Sequence, residues 1–377
     1  MFYHEDCRWF SGYKPCTHKR NCKNCPDYQA VENRITILSL EAMGAVLRST
    51  CLLNPIKRKY PNSFITWITL PQCKPLLEGN LLVDRIVAVR PETIPLIEYL
   101  ECDILFAVDK SLEAGAIAEK IRAKQKLGFG LTESGVIRPL NKEAQYQYDL
   151  GLDDNKKFYE NEKPETQQIT ETMDLEWQRD PYLLDLSPAE LGEVSKRREK
   201  ILDTGKISDK KFKGIIGYNT GCSTLFPYKK FTIEKGIDTI DMWRRSFPDY
   251  AVVLLGGKED HERQEAMLGA FSHDAGVFNS PCHEGLRSGI LWMAAADIIF
   301  SGCSLGMHIA IALKKKIVAW FGVSCIQEID LYDRGIKLQA EVSCSPCWKK
   351  SCGKAIKCYE QVTVPTIEQA FQRLIND

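Results

Sequence analysis

The stretch DIIFSGCSLGMHIAIALKKKIVAWFG, residues 297–322, compresses a strand, a tight turn of small residues, a helix and a second strand into 26 positions. The apolar runs 298–300 and 317–321 have the continuous hydrophobicity of strands buried on both faces of a parallel sheet, and 307–313 reads as the helix crossing between them. The turn SGCSLGMH, 301–308, therefore lies where a strand ends and a helix begins. Backbone N–H groups at such a point have no helical partner and sit at the positive end of the dipole, which suits a phosphate or another anion.

Outward from this unit the alternation repeats. Strands at 214–218, 251–256 and 276–279 and helices at 233–246, 261–271 and 286–295 precede it. The first half carries strands at 35–40, 64–70, 85–89 and 104–108, with helices at 42–60 and 112–123. This pattern predicts an α/β chain of two Rossmann-like, doubly wound domains facing a central crevice, with ligands at the carboxyl ends of the strands. The intervening 141–210, including NKKFYENEKPETQQITETMDLEWQRD, is dense in charge and poor in apolar period, and reads as an insertion and linker. The expected organisation is a cysteine-rich segment at 1–30, a first domain at 31–205, a second at 206–340, a cysteine finger at 341–360 and a helix at 361–377 packing back toward the first domain. In that helix Ile367, Ala370, Phe371 and Leu374 fall at helical spacing, which indicates packing rather than chemistry.

A chain of 377 residues can bury two cores. Its 50 Lys+Arg balance 50 Asp+Glu, so nothing advertises a nucleic-acid face. No apolar run approaches the roughly 18–20 residues of a membrane span, and the opening MFYHEDCRWFSG lacks the apolar core of a signal peptide. A cytoplasmic protein is the expectation.

Eight of the fifteen cysteines form two groups: Cys7, Cys16, Cys22 and Cys25, and Cys344, Cys347, Cys352 and Cys358. Four thiolates close in sequence, set among turn-forming residues, match a structural tetrahedral Zn or Fe site; His4 and His18 are substitute ligands for the first group. Disulfides are the competing reading, disfavoured by a reducing compartment and by the odd cysteine total. Four protein ligands leave no open position, so either metal would be structural.

Three strand ends in the second half carry candidate ligand groups. NTGCSTLFPYKKF follows the strand at 214–218 and offers Asn219, Thr220, Gly221 and Ser223 ahead of Lys229. Gly257 and Glu259 follow the strand at 251–256, and Ser304, Leu305, Gly306 and His308 belong to the 301–308 turn. Glycine admits a close ligand approach and lysine neutralises phosphate. Against this stands the reading that these are ordinary strand-to-helix turns and that His308 is a packed core residue. No G-x-G-x-x-G follows the first strand and no P-loop occurs, which argues against a dehydrogenase and an ATPase. No carboxylate cluster falls on a strand end, so a diphosphate site without a catalytic divalent cation is favoured.

These residues carry a resemblance. ILSLEAMGAVLRSTCLLNPIKRKYPNSFITWIT, NTGCSTLFPYKKF, VVLLGGKED and SGCSLGMHIAIALKKKIVAWFG, in that order over about 33–335, resemble glycosyltransferase family 9, the ADP-heptose heptosyltransferases. The cysteine groups and FGVSCIQEIDLYDRG are similar to a cysteine-rich bacterial branch that includes autotransporter heptosyltransferases. The resemblance implies a GT-B fold, an ADP-heptose-like donor on the second half and an acceptor on the first. By position, Lys229 would contact the donor diphosphate with Thr220 and Ser223 near it, and Ser304, Leu305, Gly306 and His308 would wrap phosphates and sugar. Glu259 is a weaker candidate for the ribose, and Met43 and Gly44 would face the reacting centre. Two positions depart from the family: Gly44-Ala45 stands where a Gly-Asp pair is usual, and Cys303 where an Asp commonly opens the turn.

Glycosyl transfer needs a base for the acceptor hydroxyl and stabilisation of the departing diphosphate. Ala45 supplies no base. Asp109, at the end of the strand at 104–108, is the leading replacement and Glu41 the second; the alternative for Asp109 is capping the helix that begins near 112. Two functions remain open. One is an inverting, metal-independent transfer of a heptose-like sugar to lipopolysaccharide core, another glycan or a protein; the other is a non-catalytic nucleotide- or glycan-binding scaffold. The cysteine fingers and the insertion offer surfaces for a homo-oligomer. Trp67, Trp177 and Trp243 are sugar-stacking or core residues.

Overall fold

Each half of the alternating pattern closes into its own sheet. The computed structural model describes residues 2–14, 16–204 and 211–376. It forms two units: Met1–Asp153 with Thr166–Asp180, and Asp154–Glu165 with Pro181–Asp377.

The first unit contains β1 (Asn33–Leu38), β2 (Ser63–Thr69), β3 (Arg85–Ala88), β4 (Glu101–Ala107), β5 (Arg122–Leu131) and β6 (Ile137–Pro139), ordered β3-β2-β1-β4-β5-β6. β1 to β5 pair in parallel, and β6 runs antiparallel to β5 as the edge. Helices α1 (Met43–Ser49), α2 (Leu53–Lys59), α3 (Ile94–Tyr99), α4 (Leu112–Lys120), α5 (Ala144–Asp149) and α6 (Glu165–Thr172) accompany them. The helix read at 42–60 is broken. Pro55 falls in the first turn of α2, where it needs no N–H partner, and the chain tightens into a 3-10 turn at Thr50–Leu52 just before. β5 had no expected counterpart: its first half is exposed and rich in Lys, and only Leu127–Gly130 lies buried, so neither strand period shows.

The second unit contains β7 (Gly214–Asn219), β8 (Tyr250–Leu255), β9 (Val277–Asn279), β10 (Ile298–Gly302), β11 (Lys316–Phe321) and β12 (Gly335–Gln339), ordered β12-β11-β10-β7-β8-β9 and parallel throughout. Counted from its own first strand, each unit has the order 3-2-1-4-5-6, in which nucleotide sites form beyond the carboxyl ends of strands 1 and 4. In the second unit those strands are β7 and β10.

Its helices are α7 (Pro188–Thr204), α8 (Ile233–Ser246), α9 (His261–Gly269), α10 (Gly285–Ala295), α11 (Leu305–Ala312) and α12 (Val364–Asn376). α7 occupies part of the stretch read as insertion and linker. It docks through charge rather than an apolar stripe: Arg198 reaches Asp297 at 2.8 Å, Arg197 donates to Ser288 O at 3.0 Å, and Arg287 holds Glu190, whose carboxyl it draws down to about 2. α12 has a packing role within the second unit. Its apolar positions, including Ile367 and Phe371, are buried in the second unit's own core, with the Phe371 ring 5.0 Å from Trp243. Trp67 and Trp243 are fully buried, which assigns both to packing. No helix among the described residues is long and apolar enough to cross a membrane.

Candidate active site

The turn between β10 and α11 is built around Asn219, the last residue of β7. Its Nδ2 contacts Ser301 Oγ, Ser304 Oγ and Gly221 O, each at 3.0 Å, and so ties the β7 and β10 strand ends together. Ser304 occupies the N-cap position of α11, yet its hydroxyl is engaged by Asn219, and among the described residues no side chain caps the helix. The amides of Leu305, Gly306 and Met307 precede the first helical bond, from His308 N–H to Ser304 O at 3.3 Å. They are available to an anion in a helix start with no competing acid. Gly306 is required by closeness, since a Cβ there would stand 2.5 Å from the Asn219 amide.

Lys229 joins this turn. Its carbonyl packs against Gly302 where any Cβ would collide with it, so the 227–229 corner lies directly against the end of β10. Among the described residues no carboxylate lies within ion-pair distance of Lys229 Nζ, whereas neighbouring Lys230 approaches Asp260 at 3.6 Å. The Lys229 ammonium instead lies 4.9 Å from the Phe226 ring centroid and 4.2 Å from that of Trp348.

The other expected contacts divide. Ser223 and Glu259 are exposed, and Leu305 is half-buried at the mouth of α11. Thr220 is buried with its hydroxyl turned inward to Leu255 O at 3.1 Å, so it braces the β7 end from inside. Gly221 packs on the Asp260 carboxylate, and Gly257 N–H donates to Asp260 Oδ2 at 3.1 Å. Burial raises Asp260 above the usual carboxylate range, opposed by that bond and by Lys230. His308 is only 6% exposed, with its ring 5.7 Å from Tyr182, the packed position weighed against a ligand role.

In the first unit Asp109 follows β4. Its carboxylate accepts from the Leu40 amide, from Glu41 N–H at 3.2 Å and from Ser39 Oγ at 3.2 Å. Burial pushes it up to about 6 despite these bonds. The α4 cap is Ser111, whose side chain accepts from Ala114 N–H, so the capping alternative for Asp109 does not hold. A carboxylate offers about four acceptor positions, and three donors leave one for a substrate hydroxyl. The bonded segment runs straight into α1, where Met43, Gly44 and Ala45 form the first turn, half-buried. Glu41 is exposed and takes part here through its backbone.

None of the fifteen cysteines is joined in a disulfide, so that reading is not realised. Cys7, Cys16, Cys22 and Cys25 line one cavity of about 20 Å³ together with His4 and His18, room for one water-sized occupant. Cys358 is pushed up to about 11 by burial, with Cys347 and Cys352 adding to it. Among the described residues no three or more His, Cys, Asp or Glu side chains are arranged to hold a metal ion, so the donor set is present without the converged geometry.

Sequence reasoning placed Asn219 among the small polar ligand groups rather than as the organiser, and missed Trp348 as the partner of Lys229. An Asn directly after an apolar strand was a readable signal for the first. Nothing local marks the second, which lies far along the chain.

No protein-family model matches the chain, and no curated protein matches it in sequence. Solved structures do match. E. coli ADP-heptose LPS heptosyltransferase II is 16% identical, with the match covering 91% of this chain and 98% of that one at a TM-score of 0.63. The glycosyltransferase family 9 protein from Veillonella parvula is also 16% identical, over 92% and 98%, with a TM-score of 0.67. TibC of enterotoxigenic E. coli, an iron-containing dodecameric glycosyltransferase, is 11% identical over 92% and 77%, with a TM-score of 0.55. The chain has the fold of these glycosyltransferases, a GT-B fold of two Rossmann-like units.

Proposed function

We propose that the protein transfers a heptose-like sugar from an ADP-sugar donor to a hydroxyl of a glycan or protein acceptor, with inversion and without a divalent cation. The observation that carries this reading is Lys229, without a carboxylate partner among the described residues, seated against the β10 end beside a helix start that no described side chain caps. Lys229 and the 305–307 amides take the charge that develops on the departing ADP. Asp109 removes the acceptor proton as the hydroxyl oxygen bonds to the anomeric carbon; the bond from that carbon to phosphate breaks, and its electron pair leaves with ADP. A pKa of about 6 suits a base at neutral pH.

Structural Zn or Fe at the cysteine groups belongs to the same proposal, supported by the eight cysteines of the two groups standing outside any disulfide and by the four N-terminal ones sharing one small cavity, and it requires these side chains to converge on binding. Self-association belongs to it as well, supported by the dodecameric TibC. The scaffold reading draws on Ala45 and Cys303, which carry no carboxylate. Incubation with ADP-heptose separates the two: the enzyme reading expects ADP release that Asp109→Ala abolishes. Equal turnover in both proteins removes Asp109 as the base, and donor binding without turnover supports the scaffold.

A further inference from the structure

Two lysines share one indole. Trp348 lies in the C-terminal cysteine segment beside Cys347, and its ring carries Lys229 Nζ at 4.2 Å and Lys157 Nζ at 4.7 Å from the centroid. The Phe226 ring meets the indole nearly edge-on at 5.6 Å and also lies under Lys229. The two lysines differ in charge balance. Lys157 has Glu328, itself buried, at 3.7 Å, while Lys229 has no carboxylate among the described residues. A carboxylate would position an ammonium and cancel its charge; an aromatic face positions it and leaves the charge for an incoming anion.

The backbone that carries the indole is itself held in place. The main-chain amides of Trp348 and Cys347 both donate to Val323 O, at 2.9 and 3.1 Å, just past β11, and Ser345 Oγ donates to Gly322 O at 2.7 Å. Gln327 Nε2 donates to Lys157 O and Phe158 O, each at 3.2 Å. The motif FGVSCIQEIDLYDRG, residues 321–335, which the donor chemistry leaves unused, thus braces both the tryptophan and Lys157.

We infer that Trp348 is a positioning residue for Lys229, and that through this ring the C-terminal cysteine segment sets the affinity for the nucleotide-diphosphate donor. The inference rests on the donor reading of Lys229. The test is calorimetric titration of ADP into the full chain as wild type, Trp348→Leu, Trp348→Phe, Lys229→Met and the Lys229→Met/Trp348→Leu double variant. Trp348→Leu is expected to weaken ADP about tenfold, the scale of a desolvated cation–π contact, and Trp348→Phe to restore most of it. In the Lys229→Met background Trp348→Leu should add almost nothing. With ADP-heptose, Trp348→Leu should raise KM for the donor far more than it lowers kcat.

Equal losses in both backgrounds mean a general structural role and overturn the inference. So does a Trp348→Leu protein that binds ADP like wild type while Lys229→Met does not, an outcome that spares the donor reading. A wild-type protein that fails to bind ADP removes the donor reading and this inference together.

Discussion

The two units share a strand order and differ in the sign of what they gather at matching strand ends. In the first, one acceptor collects donors: the Asp109 carboxylate draws in two amides and the Ser39 hydroxyl. In the second, one donor collects acceptors: the Asn219 amide draws in two hydroxyls and a carbonyl. The consequences are opposite. Asp109 concentrates negative charge in a poorly hydrated place and rises to about 6, whereas the Asn219 knot occupies Ser304, and among the described residues no side chain caps α11 and no carboxylate pairs with Lys229. One topology thus carries a buried carboxylate in one unit and an amide knot beside a helix start in the other, the two poles on which the proposed transfer rests.

The largest expected effect tests the negative pole. Asp109→Asn should lower kcat by about 10²–10⁴, the usual weight of a general base, measured as ADP release at saturating donor; Glu41→Gln should stay near wild type. A large loss in Glu41→Gln with Asp109→Asn intact would exchange the two assignments. The pH profile sharpens this. The base acts deprotonated, so activity should fall as pH drops through about 6 and level off above it.

Next comes the independence of the second unit. Phe371→Ala removes a ring buried against Trp243 and should cost about 3–5 kcal/mol of stability, read by denaturant unfolding with proteolytic mapping of the unit that opens first. Opening of the first unit instead would contradict the placement of α12 in the second core. Lys229→Met should then weaken ADP by roughly 10–100-fold, the scale of a charge-assisted bond of about 1.5–3 kcal/mol. Last, Gly306→Ala forces a Cβ onto Asn219, and overpacking of about 1–3 kcal/mol should appear as weaker ADP binding with Asp109 chemistry unaffected. Unchanged binding would break the claim that the Asn219 knot shapes the cationic pole.

The sequence made much of this visible because parallel strands advertise themselves. The buried runs of β7, β8, β10 and β11 and the turn after β10 were readable from hydrophobicity alone. β5 and α7 were not. The first hides its buried half behind exposed lysines and a glycine pair, and the second is attached by arginine–carboxylate bonds that leave no apolar stripe. At the candidate site, Lys229, Gly306 and Asp109 could be singled out from sequence because each stands near a strand end or in a glycine turn. Thr220 has the right type in the right place, but its hydroxyl turns inward to Leu255 O, and His308 is buried with its ring beside Tyr182. Trp348 was invisible, since only folding brings the 341–360 segment to Lys229.

The central claim is that Lys229 and the start of α11 hold a nucleoside diphosphate unaided by a divalent ion. Calorimetric titration of ADP into the full chain, once in EDTA and once in Mg²⁺, tests it most directly. The account predicts the same affinity in both, lost in Lys229→Met. Binding that appears only with Mg²⁺, or that survives Lys229→Met undiminished, would contradict it.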